Sequence, residues 1–357
     1  MPVDERPIGA HLVGSVPLPD TESVLRVANE VLGDRLRRVP DGETGDRSKW
    51  VGWQGFAFKA LPQLEKVPPA AGQYPPTPRF RVRAGASLDG ASFGDLGYAE
   101  NAIASFATFE RLRSAGVVPS GQRFQVSIPT PLAPVAMFVT DDAQALVEPI
   151  YEAQILEELG RILDAVPHPL LAVQWDVCIE MWMWEGWLPT PFADAKREIV
   201  MRLGRLGDAV PSDVELGYHL CYGDYQHEHF HEPTDCANLA AIGNGIADAA
   251  RRPIEWVHLP VPIERDDADY FAPLRALALA DDTELYLGLV HSRDGVEGAR
   301  RRIAAARRAG VERFGVATEC GMGRRPPDRG GSATGLRELL QIHAAVSGPV
   351  PPSLRIR

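Results

Sequence analysis

Short apolar runs alternate with longer amphipathic stretches from one end of this chain to the other. The short runs predict strands at Ile8–Val13, Leu36–Pro40, Phe124–Ile128, Leu170–Trp175, Val214–His219, Ile254–Leu259, Glu284–Val290 and Arg313–Ala317. Between and after them, apolar residues recur at helical spacing near 21–33, 97–114, 142–165, 191–208, 235–250, 270–280, 294–309 and 332–346. Strict alternation of strand and helix predicts parallel strands joined by helical crossovers. Repeated eight times within 357 residues, it predicts one domain spanning residues 1–357, a (β/α)₈ barrel of the α/β class. A doubly wound open sheet is the alternative, but no Gly-x-Gly-x-x-Gly follows the first strand.

Two stretches break the rhythm. Residues 45–97 are rich in Pro and Gly and predict an extended loop over one barrel mouth, with Trp50 and Trp53 able to close over it. The tail Ser347-Gly348-Pro349-Val350-Pro351-Pro352 predicts a solvent-exposed end.

In such barrels the chemistry sits where strands end. The predicted exits carry His11 with Gly14-Ser15, Asp41 with Glu43, Asp176 with Glu180, His219 with Cys221, His258, His291, and Glu319-Cys320. The opposite ends show nothing comparable. His219 and Cys221 are two apart, so on a strand both side chains point the same way. An imidazole and a thiolate on one face, joined by Cys320 from far downstream, form a corner suited to Zn²⁺. Asp41-Gly42-Glu43 offers a carboxylate as general acid or base, or else an Asp-Gly turn. Asp176 and Glu180 offer the same chemistry. His11 and His291 are further polar groups for a substrate, and the Trp- and Met-rich segment around Trp184 suits a planar one or packs its loop on the barrel. Cys178 and Cys236 read as ordinary buried thiols. His227, His229 and His231 alternate, but among acidic and amide residues they read as a solvated loop.

Composition narrows the class. The chain is 45% hydrophobic and 24% charged, and its net charge of −11 argues against nucleic acid or an anionic membrane as partner. Arg300-Arg301-Arg302 and Arg307-Arg308 fall in a helical pattern and read as a solvated outer face. No apolar run approaches the roughly 20 residues needed to span a bilayer. The first residues lack the pattern of a secretory signal, and four cysteines in so long a chain are no disulfide framework. A cytoplasmic enzyme with a few functional thiols fits.

Several motifs together resemble the catalytic barrel of cobalamin-independent methionine synthase, within the superfamily that includes uroporphyrinogen decarboxylase. Val13-Gly14-Ser15-Val16-Pro17 resembles that family's Gly-Ser-x-Pro opening. Gly217-Tyr218-His219-Leu220-Cys221-Tyr222 resembles its His-x-Cys-Tyr zinc strand, and Leu287-Gly288-Leu289-Val290-His291-Ser292 its Gly-Val-x-Asp-x-His-Ser stretch. Glu319-Cys320-Gly321-Met322-Gly323-Arg324 is similar to its Asp-Cys-Gly-Leu-Lys-Thr-Arg element. The resemblance implies zinc held by His219, Cys221 and Cys320 and a methyl or alkyl transfer to a zinc-activated thiol. It implies a small-molecule thiol and an alkyl donor as partners, a folate or corrinoid methyl donor among them, and Ser15 as a contact for a substrate carboxylate. The chain departs from the family in three places. His258 stands where the family takes a glutamate ligand, and is expected as the fourth zinc ligand or else as a histidine behind the metal or against the substrate. Gln174-Trp175-Asp176-Val177-Cys178 keeps the aspartate of Gln-x-Asp-Glu-Pro but not its glutamate. The second barrel of the long synthases has no room here. A metal-free lyase or decarboxylase and a non-catalytic binding barrel are the other readings.

Overall fold

The computed structural model describes residues 6–68, 78–223, 231–325 and 331–351. Its strands are β1 (Ala10–His11), β2 (Arg38–Pro40), β3 (Leu64–Val67), β4 (Arg79–Val82), β5 (Arg123–Pro129), β6 (Leu171–Val177), β7 (Glu215–Leu220), β8 (Trp256–Pro260), β9 (Glu284–Gly288) and β10 (Gly315–Ala317). The helices are α1 (Thr21–Val31), α2 (Gly55–Ala60), α3 (Tyr98–Ser114), α4 (Leu132–Phe138), α5 (Gln144–Ala165), α6 (Ile179–Trp184), α7 (Ala195–Asp208), α8 (Ala237–Ala249), α9 (Ala268–Phe271), α10 (Gly295–Arg308) and α11 (Ala333–Val346). Eight parallel strands run in the order β1-β10-β9-β8-β7-β6-β5-β2, and a bridge between Ala10 and Leu36 joins the two ends. This is the expected (β/α)₈ barrel. The helix expected over 270–280 is instead α9 followed by a 3₁₀ segment, Ala272–Ala276, with Pro273, which lacks an N–H, near its start.

Period-two alternation divides each strand into an outer and an inner rank. Outer residues pack on the helices: Trp175 Nε1 donates to the Leu206 carbonyl on α7, and Tyr218 Oη to that of Leu203. The inner rank of β7 is Glu215, Gly217 and His219, and that of β6 includes Gln174 and Asp176. Gly217 admits the Trp256 ring to the barrel axis, since a Cβ there would lie 1.9 Å from it. His11 packs on Tyr286 at 5.0 Å between ring centroids, and on Trp256 and His258 near 6 Å.

Several sequence expectations need correction. The strand starts do carry charge. Arg37 and Arg38 clamp Glu215 and Glu284 at 2.5–2.8 Å, Arg123 joins Glu215 at 3.0 Å, and the Arg38 guanidinium lies 4.0 Å over the Trp256 ring. The insertion is not an extended loop. It holds a 3₁₀ segment Gly45–Gln54, α2 and the antiparallel pair β3–β4. Phe58 stacks there with Phe80 and with Phe138 and Tyr151 of α4 and α5, so apolar residues scattered among Pro and Gly pack the insertion into the main core. Arg302 is fully buried, donating to the Leu289 and Ile263 carbonyls and pairing with Asp294. The tail is tied down as well. Ser347, Gly348 and Val350 are buried, and Gly348 exchanges hydrogen bonds with Pro7 and Gly9. Residue 352 lies outside the described residues.

Candidate metal centre at the barrel mouth

The register of β6, β7 and β8 sets Asp176, His219 and His258 side by side. One step further along, Cys221 leaves β7, and Cys320 arrives from the turn after β10. A ring nitrogen of His219 and the two sulfurs lie within 4.8 Å of one another, all buried, and the sulfurs are 3.6 Å apart. These are the residues that the His-x-Cys spacing singled out.

His258 is not part of that group. Its Nδ1 lies 2.7 Å from Nδ1 of His219, and its Nε2 donates to the Thr318 carbonyl at 3.0 Å. Both imidazoles are held neutral. Burial lowers His258 to about 3, and burial together with the neighbouring His258 pulls His219 well below its ordinary value. Nε2 of His219 is buried and has no hydrogen-bond partner among the described residues.

Cys178, read as an ordinary thiol, joins the site. It is buried in one cluster with Cys221 and Cys320, against which Trp50 and Trp182 pack. The hydrogen bond of the Cys221 thiol with Cys178, with burial behind it, pushes Cys221 well above its usual range, while Cys320 acts the other way. The signal was in the sequence: Asp176 and Cys178 share the i, i+2 spacing that marked His219 and Cys221. Arg324, also not singled out, approaches Cys320 Sγ at 3.4 Å through Nη2. Cys236 is an ordinary core thiol, pushed up to about 12 chiefly by burial.

A carboxylate pair lies beside the thiols. Asp176 accepts from Gln174 Nε2 at 2.9 Å, and Gln174 Oε1 accepts from His11 Nε2 at 2.8 Å, so His11 enters the site through Gln174. Burial raises Asp176 to about 7, although Gln174, Arg324 and Trp50 oppose the shift. Glu43 rises to about 8, through burial first and then the charges of Asp176 and Asp41. Its backbone sits at φ 45°, a region that a non-glycine residue enters only under constraint. Its carboxylate presses on Gly14, where a Cβ would lie 2.5 Å from Oε1. Asp41 holds the turn, accepting the Glu43 N–H and pairing with Arg47, both at 2.8 Å.

The remaining expected residues divide. Ser15 is buried, its Oγ accepting from Gly323 N–H at 3.2 Å, which ties the first exit to the Cys320 turn. His291 donates to the Val261 carbonyl at 2.9 Å and faces Glu319 at 3.4 Å. Glu180 is buried, its Oε2 without a hydrogen-bond partner among the described residues, and is raised to about 7 by burial. Trp184 turns away from the thiols, donating to Asn238 at 3.1 Å beneath the Lys196 ammonium. Trp53 packs edge-on against Tyr98, and His231 stacks on Trp187 at 4.4 Å. His227 and His229 lie outside the described residues.

The donor chemistry fits a thiophilic divalent cation such as zinc. It comprises two neighbouring buried sulfurs and one buried imidazole nitrogen with no other partner among the described residues, all at the end of the barrel where ligands converge.

Comparison with known proteins supports the architecture. The chain is similar to the solved structure described as "Putative Vitamin-B12 Independent Methionine Synthase from Listeria monocytogenes", with a TM-score of 0.53 and 15% identity, over 92% of this chain and 87% of that one. At that identity the likeness is one of fold. No family model and no curated protein matches the sequence. Among the described residues, no helix is long and apolar enough to cross a membrane.

Proposed function

We propose that this protein is a zinc-dependent enzyme that transfers a methyl or other alkyl group to the sulfur of a small thiol. The observation that carries this reading is the convergence of His219, Cys221 and Cys320 within 4.8 Å at the barrel mouth. Those three residues would hold the metal. Bound there, Zn²⁺ would keep a coordinated substrate sulfur deprotonated and nucleophilic near neutral pH.

The chain's other residues serve the reaction around that centre. Sulfur's electron pair forms the new S–C bond, and the donor's leaving group departs with the electrons of the broken bond. The thiol's proton then has to be stored and delivered to the leaving group. Asp176 at about 7 and Glu43 at about 8 are suited to hold it, because each carboxyl exchanges a proton near neutrality. Gln174 fixes the orientation of Asp176, and Trp50 and Trp182 screen the sulfurs from water. Ser15 offers a fixed contact for a substrate carboxylate. A methylated folate or corrinoid is the donor class implied by the motifs. All four cysteines are free, as a reducing compartment such as the cytoplasm would keep them.

The raised carboxyls of Asp176 and Glu43 beside Arg324 favour one other reading, metal-free lyase chemistry on an acidic substrate. Metal content separates the two. Protein purified without added metal should carry close to one zinc per chain and lose it in Cys221→Ser. A parent that stays metal-free after supplementation removes the alkyl-transfer reading.

A further inference from the structure

We infer that His258 is a positioning residue that fixes the tautomer of His219, leaving the Nε2 lone pair of His219 free for a metal, and is not itself a metal donor. The inference rests on the proposed metal centre for its purpose but not for its geometry.

The argument is one of donors and acceptors. The Thr318 carbonyl can only accept, so the 3.0 Å contact places a hydrogen on Nε2 of His258. A neutral imidazole carries a single N–H, and both rings are too deeply buried to hold a charge cheaply, at 0% and 2% exposure. Nδ1 of His258 is therefore a lone pair. The 2.7 Å contact between the two Nδ1 atoms requires one hydrogen, which must sit on His219. Nε2 of His219 is then unprotonated, and it is the nitrogen with no partner among the described residues. A buried acceptor left unmatched is costly unless something else satisfies it.

The same chain leaves His258 with no nitrogen to offer. One ring nitrogen is committed to Thr318 and the other to His219. Among the described residues the protein donors then reduce to one imidazole and two sulfurs, a set that leaves a position for substrate. The relay Thr318 carbonyl–His258–His219 thus does the work that a carboxylate or carbonyl usually does behind a metal-bound histidine.

Two measurements test this. In metal-free protein labelled with ¹⁵N-histidine, His219 should show a protonated Nδ1 and an unprotonated Nε2. A protonated Nε2 would overturn the relay whether or not the protein binds zinc, whereas failure of the parent to bind zinc would sink only the proposed function. The second measurement is zinc affinity in His258→Gln and His258→Leu. Glutamine can accept from His219 Nδ1–H and donate to Thr318, so His258→Gln should stay within a few-fold of the parent. His258→Leu should lose roughly 10–100-fold. X-ray absorption should count one nitrogen and two sulfurs from the protein, in the parent and in His258→Gln alike. Two imidazole nitrogens in the parent, or equal loss of affinity in folded His258→Gln and His258→Leu, would overturn the inference. Should His258→Leu fail to fold, the tautomer of the parent and the ligand count of His258→Gln still decide.

Discussion

At the strand starts, buried Arg38 and Glu215 join half-buried Arg37, Arg123 and Glu284 in one ionic network. At the strand exits, Asp176, Glu43, His219, His258 and Cys221 are as deeply set but are driven toward their neutral forms. Burial penalises charge equally at both ends, so the difference lies in the partners. Below, burial works against Glu215 and Glu284, but Arg38 and Arg37 outweigh it and hold both carboxyls below their ordinary range. Above, like charges and thiols face one another, and Arg324 and Arg47 only partly offset them. The lower end pairs opposite charges with one another and serves stability. The upper end is left short of positive charge, which is the condition for taking up a cation and for moving protons.

The sharpest break of this comparison comes at the lower end. Arg38→Met leaves the buried Glu215 and half-buried Glu284 under-compensated and should cost about 3–5 kcal/mol in urea unfolding, while folded protein keeps its zinc affinity. Loss of zinc in that variant would mean that the two ends are coupled. At the upper end, Cys320→Ser should abolish tight zinc binding yet move the thermal midpoint of the metal-free protein by no more than about 2 °C, a change near 1 kcal/mol. A collapse of the fold would instead make Cys320 structural.

The two ends should also respond to pH with opposite sign. Glu215 and Glu284 have lowered folded values, so the stability they add is present above the ordinary carboxylate range and is lost as pH falls through those values. Asp176 and Glu43 have raised values. The folded state then binds more protons than the unfolded, and stability declines as pH climbs from the ordinary carboxylate range, roughly pH 4, toward 7 and 8. Unfolding midpoints of metal-free protein should therefore peak on the acid side of neutrality. Asp176→Asn combined with Glu43→Gln should flatten the neutral-side decline, and an unchanged slope would count against the raised carboxyls. The smallest effect belongs to Trp184→Phe, which should leave zinc affinity within a few-fold because Trp184 faces Asn238 and Lys196. A large loss would place that ring in the site after all.

The alternation of apolar runs and helical patterns determined the barrel, because period 2 and period 3.6 are local properties that parallel βα units turn directly into topology. Spacing also placed His219 and Cys221 on one face, and barrel geometry brought Cys320 to them across 99 residues. Local patterns could not reveal which polar residues would find partners. Arg38 and Glu215 lie 177 positions apart, and only the closed sheet sets them 2.5 Å from each other. Arg302 in an arginine run, Cys178 beside Cys221 and Trp184 turned outward were decided likewise by what the fold placed opposite them. For His258 the strand supplied an imidazole at the right level. Its role depends on two contacts, to His219 and to the Thr318 carbonyl, that exist only once β7, β8 and the turn after β10 have come together.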